Sequence, residues 1–130
     1  MTSTDGDRVD VDPARITAWQ ALSDLFLDTE LDDADIAAIA RQLRVTGFPV
    51  DELERIYEEE VAPACWRNLV VVPGGEWTGF QKDWLVHAIQ RHRRNPGLLH
   101  SVPLVKRLRV KRWTGLTRED WARVKQQLGR

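Results

Sequence analysis

The densest group of side chains able to do chemistry is a run of carboxylates, Asp28, Glu30, Asp32, Asp33 and Asp35. Alternating acids supply the oxygen ligands calcium needs, and Asp28, Glu30 and Asp32 would stand at positions one, three and five of an EF-hand loop. That loop also requires glycine at position six and glutamate at position twelve, where this chain has Asp33 and Ile39. The motif fails at both. The acids read instead as the entrance of a helix, whose free amides favour negative charge, or as a surface for a partner. Asp24 and Asp28, four residues apart, have the spacing of an acid and base pair. They are expected on an exposed helix face, where nothing moves a pKa far enough for that work.

The remaining nucleophile and metal-ligand types are sparse. His87, His92 and His100 are the only histidines; the first two sit about 140° apart on a helix and cannot share a metal there. Cys65, the single cysteine, has no disulfide partner in the chain and reads as a small buried side chain. Pro73-Gly74-Gly75 lacks the spacing and the lysine of a phosphate loop. No catalytic residue, metal or cofactor is expected, and the protein reads as non-enzymatic. Two surfaces are left. Arg91, Arg93, Arg94, Lys106, Arg107, Arg109, Lys111 and Arg112 form a basic series of the kind that follows phosphates. Trp77, with Phe80, stands in a glycine-rich loop as an aromatic anchor for either the core or a partner.

Charge is the pattern that organises these candidates. Residues 1–86 hold 7 Lys/Arg against 18 Asp/Glu, whereas residues 87–130 hold 12 against 2, so a net charge of −1 conceals two opposite poles. Such poles steer partners and orient encounters.

The elements that must position them are helical. Asp12-Pro13 starts a first helix, with Ile16, Trp19, Leu22 and Phe26 on its apolar stripe and an end near Asp28. Asp32 or Asp33 caps a second, in which Ile36, Ile39, Ala40 and Leu43 share a face and Gly47 supplies the exit. A third runs from about Val50 with Leu53, Ile56, Tyr57 and Val61 inward and Glu52, Glu54, Glu58 and Glu59 outward. Pro63 is expected to begin a new short helix. The run Leu69-Val70-Val71-Val72 reads as buried extended chain. Phe80, Trp84, Leu85, Ala88 and Ile89 mark another helix, ending before Asn95-Pro96-Gly97. Leu104, Val105 and Leu108 predict the inward face of a helix from Pro103 to about Val110, since Lys111 and Arg112 would otherwise rotate onto it. Thr117 and Asp120 have capping-box spacing before Trp121, Val124 and Leu128. The basic segment, the turn at 114–116 and this last helix have the order of a helix-turn-helix, but Glu119 and Asp120 occupy the first turn that would face phosphates.

The expected fold is therefore all-α: a single-domain bundle of about six helices over 12–130, with an irregular Gly/Pro-rich loop in the middle and a loose acidic tail over 1–11. With 130 residues, 42% of them hydrophobic, and six tryptophans, the chain has ample material for one core. The polar, acidic start lacks the features of a signal peptide and no apolar run approaches bilayer thickness, so a cytoplasmic protein without a membrane partner is expected.

The segment Trp19-Gln20-Ala21-Leu22-Ser23-Asp24-Leu25-Phe26-Leu27-Asp28-Thr29-Glu30-Leu31, with Glu59-Glu60-Val61-Ala62-Pro63 and Gly75-Glu76-Trp77-Thr78-Gly79-Phe80, resembles the recurring blocks of a family of small uncharacterised bacterial proteins. The resemblance covers about residues 12–90 and implies a mostly helical protein; it assigns no functional residue. Taken together, these readings predict a protein-binding module, an immunity or antitoxin-like neutraliser that covers a toxin or effector domain with an acidic surface of Asp28, Glu30, Asp32, Asp33, Glu58 and Glu59, with Trp77 as anchor. The alternative is a nucleic-acid binder that uses the basic series.

Overall fold

In the computed structural model, the structure describes residues 12–26, 30–66, 82–94 and 102–129. Asp28, Trp77, Phe80, His100, the extended run at 69–72, the central loop and the acidic tail lie outside the described residues. All regular structure among the described residues is helical, as the apolar spacing predicts.

Helix α1 (Pro13–Ser23) starts where Asp12 accepts a hydrogen bond from the Ala14 amide at 3.0 Å, with proline in the first turn. It tightens into a 3-10 turn over Asp24–Phe26 rather than running on in α geometry. The Ser23 hydroxyl donates to the Gln20 carbonyl at 2.7 Å, the local competition by which serine disturbs a helix. Helix α2 (Asp33–Thr46) carries a reciprocal cap, Asp35 N–H to Asp32 and Asp32 N–H to Asp35, and leaves through Gly47 at φ +79°. Two members of the acidic run are thus helix-capping groups.

Helix α3 (Val50–Ile56) passes without a break through a π-helical turn, Tyr57–Val61, into α4 (Ala62–Cys65). Pro63 does not start a new helix. The chain has already widened by one residue, with the Ala62 amide donating to the Tyr57 carbonyl, so the hydrogen bond that proline cannot make is lost inside a continuous rod. Helices α5 (Lys82–Arg94), α6 (Pro103–Thr114) and α7 (Arg118–Leu128) complete the described fold. The expected capping box at α7 is absent. Thr117 makes no cap bond; its hydroxyl lies 2.6 Å from the Tyr57 hydroxyl and 3.3 Å from the Thr114 carbonyl.

One apolar cluster joins the described helices. Trp19, Leu22, Phe26, Ile36, Ile39, Leu43, Leu53, Ile56, Tyr57, Val61, Leu85, Ile89, Trp121 and Val124 are all buried in it. Helix α2 packs against both α1 and α7. Tyr57 stacks on Trp121 with ring centroids 5.1 Å apart, and burial pushes its hydroxyl pKa up to about 12. Cys65 is buried and its thiol is likewise pushed up by burial, as a packing residue requires.

Helix α6 differs most from its expected form. It runs four residues past Val110, and Leu104 and Leu108 point outward, 61% and 59% exposed. The arc opposite them carries Lys106, Arg109, Val110 and Trp113, all partly buried. Trp84 on α5, expected in the core, is 44% exposed, while Leu85 and Ile89 are buried.

Candidate functional site

The inward side of α6 meets the acids of the π turn. An α-helix rotates about 100° per residue, so three consecutive glutamates cannot share one solvated face. Glu58, Glu59 and Glu60 reach three different helices. Glu58 accepts from Arg118 of α7 at 3.0 Å, and that arginine also donates to the Thr114 hydroxyl and lies 5.3 Å over the Tyr57 ring. Glu59 pairs with Lys106 of α6 at 3.2 Å. Glu60 accepts from the Trp19 indole at 2.7 Å and takes both Nε and an Nη of Arg15 on α1. One turn upstream, Glu54 accepts from the Trp121 indole and the Lys125 ammonium at 3.0 and 2.9 Å; the Lys125 bond, then the indole bond, holds its carboxyl below the usual range. Glu52 meets Arg15 and Arg55.

The outward acidic face predicted for the third helix is therefore a partly buried seam whose glutamates are paired with cations of the same chain. Lys106 meets Glu59 on the same side of α6 as Trp113, which packs against the core, and Leu104 and Leu108, on the other side of the helix, face solvent.

The acidic run fares differently. Glu30 and Asp32 remain exposed, Asp32 being committed to its cap, and Asp33 is exposed but bridged by Arg123 at 2.8 Å. Arg123 also donates to the Leu31 carbonyl and to Asp120. Asp24, expected to be exposed, is partly buried beside Asp35. Burial first, and the neighbouring carboxylate second, push its pKa up to about 6.

The basic series is also divided. Lys106 is paired, and the Arg93 guanidinium lies 5.8 Å from the Trp19 ring centroid. Arg91, Arg94, Arg107 and Lys111 are exposed and have no carboxylate partner among the described residues. Arg112 lies 5.2 Å over the Trp66 ring. Arg109 is partly buried on the inward side of α6.

Leu104, Arg107, Leu108 and Lys111 fall within an arc of about 100° on α6. Beside them a cleft of about 690 Å³ opens between α6 and the π turn; Glu58 and Glu59 line it together with Lys106, Arg107, Lys111 and Arg118. Two of those four cations are matched by the two glutamates, which leaves Arg107 and Lys111 as open positive charge. This combination of aliphatic side chains and cations was not legible as a site, because the leucines read as core.

No group of three or more His, Cys, Asp or Glu able to hold a metal is found among the described residues, and no helix among them is long and apolar enough to cross a membrane.

The fold and its surfaces thus define a small all-α helical protein built around one aromatic core and a buried-edge ion-pair seam. Its family follows from comparison of the sequence: residues 13–127 match the model of a family described as Domain of unknown function (DUF7079), and the chain belongs to that family. No curated protein and no solved structure matches it.

Proposed function

We propose that this protein is a non-enzymatic module that binds another protein, and that its docking surface is the outward face of α6 rather than the acidic face of the first three helices. The observation that carries this reading is the pair Leu104 and Leu108, both more than half exposed, one turn apart and flanked by Arg107 and Lys111. Exposed aliphatic side chains with a charged rim are the usual make-up of a docking patch. The complementary partner surface has an apolar centre and an acidic rim. Charge complementarity of that kind speeds association and fixes register. Neutralisation of a toxin or effector domain remains the concrete role proposed, since occlusion asks only for a surface of roughly 800 Å² on each side.

The test is capture of the separately expressed product of the adjacent gene. Wild type is expected to retain it, and the Leu104→Asp/Leu108→Asp double variant to lose at least about thirtyfold in affinity, the scale of one hot spot. Charge reversal at Glu30 and Asp33 is expected to change affinity little. Loss of binding with the acidic variants while the leucine variants bind normally would overturn the reading and restore the acidic face.

A further inference from the structure

On the other side of α6 lies a groove of a different character. It is formed where α4, α5 and α6 meet, has a volume of about 680 Å³, and is walled by Trp66, Trp84 and Trp113 with Arg91, Arg109 and Arg112. No carboxylate lines it among the described residues. The walls are held in place: Trp66 and Trp113 pack against the core, and His92 meets Trp113 edge to face at 5.5 Å.

We propose that this groove binds single-stranded nucleic acid, with a base stacked on Trp84 and the adjoining phosphates taken by Arg91 and Arg112. The proposal goes beyond the protein-docking reading and does not depend on it. It narrows the basic series to the members that share a concave aromatic site, and leaves out Arg93, which covers Trp19, and Lys106, which is paired with Glu59.

Three features fit this ligand. Trp84, Ala88 and Arg91 follow one strip of α5, so the backbone positions of the indole and the guanidinium stand about 10 Å apart along the axis with the Ala88 methyl between them on the groove side. A base can lie on the indole while the next phosphate meets the arginine. Arg112 lies 5.2 Å over the Trp66 ring and has no carboxylate partner among the described residues, so its charge is open to phosphate oxygens. The cations continue past the groove, with Arg94 at the end of α5 exposed and without a carboxylate partner among the described residues. An extended chain can follow them. Duplex hides its base faces, whereas unpaired bases present them to aromatic side chains, which selects the single strand.

The experiment is fluorescence anisotropy of a labelled fifteen-nucleotide oligo(dT) with the full-length protein, first in about 20 mM and then in about 200 mM salt. The single strand is expected to bind at low salt and to weaken steeply as salt rises, because neutralised phosphates release counterions. Trp84→Ala is expected to weaken binding about tenfold, the scale of one lost base stack, and Trp84→Phe to recover part of it. Arg91→Ala and Arg112→Ala should each lower the salt slope by about 0.7. Leu104→Asp alone, two turns along α6 from Arg112 and outside the groove, serves as the control and is expected to bind oligo(dT) within about twofold of wild type. Any of four outcomes overturns the proposal: no binding in dilute salt, equal affinity for a duplex of the same length, equal competition by poly-glutamate, or no effect of Trp84→Ala in a protein of native circular dichroism. Loss of oligo(dT) binding leaves the protein-docking test untouched, so the two readings fail separately.

Discussion

Replacing Glu60 by alanine should destabilise this protein more than any other removal of a surface-region carboxylate. Glu60 closes three contacts at once, with the Trp19 indole and with two nitrogens of Arg15. Its side chain is only 12% exposed and that of Arg15 21%. Removing one partner of a fully buried pair costs about 3–5 kcal/mol, whereas an exposed pair contributes about 0–1 kcal/mol. The intermediate exposure places the ion-pair part near 2 kcal/mol, and the indole N–H, left without its acceptor on a wholly buried tryptophan, adds about 1 kcal/mol. The total is about 3 kcal/mol, or about 10 °C in melting temperature for a chain of this length. Urea and thermal unfolding followed by circular dichroism measure it, with Glu59→Ala as the reference. Glu59 and Lys106 are 31% and 40% exposed, so their pair should contribute less than about 1 kcal/mol. Glu60→Gln keeps an acceptor for Trp19 and should recover part of the loss. A Glu60→Ala protein no less stable than Glu59→Ala would refute the seam as a structural device.

Further outcomes follow from the same contacts. Asp24 is neutral in the fold up to about pH 6 but ionises near 4 when unfolded, so the native state binds more protons in that window and its stability should fall as pH rises from about 4 to 6. Asp24→Asn should melt higher than wild type at pH 7 and no higher at pH 4, read by thermal scans at both values. Glu54 works in the opposite sense: with its carboxyl held low by Lys125 and Trp121, its contribution is present above the ordinary carboxylate range and lost as pH falls through the folded value, and Glu54→Gln should flatten that acid limb. Gly47→Ala meets no atom within 4 Å, so its cost is the left-handed backbone alone, about 1 kcal/mol in urea unfolding. Leu108→Asp should leave stability within about 0.5 kcal/mol, as befits a side chain that touches solvent rather than core.

What was legible in the sequence is what local chemistry decides. Asp12 before Pro13, the Asp32-Asp33 pair ahead of Ile36, and Gly47 after the last apolar residue each mark a helix end with groups a few residues apart; the structure takes Asp32 of the two acids and adds the return bond from Asp35, which was not foreseen. The inward stripes of α2 and α3 were equally readable, because every one of Ile36, Ile39, Ala40, Leu43, Leu53, Ile56, Tyr57 and Val61 is buried. Apolar spacing failed on α6 for a physical reason. The helix turns Trp113 and Thr114 inward, together with Lys106, which meets Glu59 across 47 positions of sequence, and no window of neighbouring residues contains those contacts. The same distance effect hid the seam: Glu54 finds Lys125, Glu58 finds Arg118, and Asp33 finds Arg123. Glu60 was passed over among its neighbours, yet a signal existed. Three consecutive glutamates just before a proline span about 200° of helix and cannot all be solvated on one face. The division of charge between the two halves was read correctly as a pattern; its consequence is partly internal cohesion, with open positive charge left on α5 and α6.

The most direct test of the docking account is amide hydrogen exchange on the complex with the adjacent gene's product. The account predicts slowed exchange across 102–112, centred on Leu104 and Leu108, with residues 30–35 exchanging as in the free protein. Protection confined to 30–35, with α6 unchanged, would contradict it.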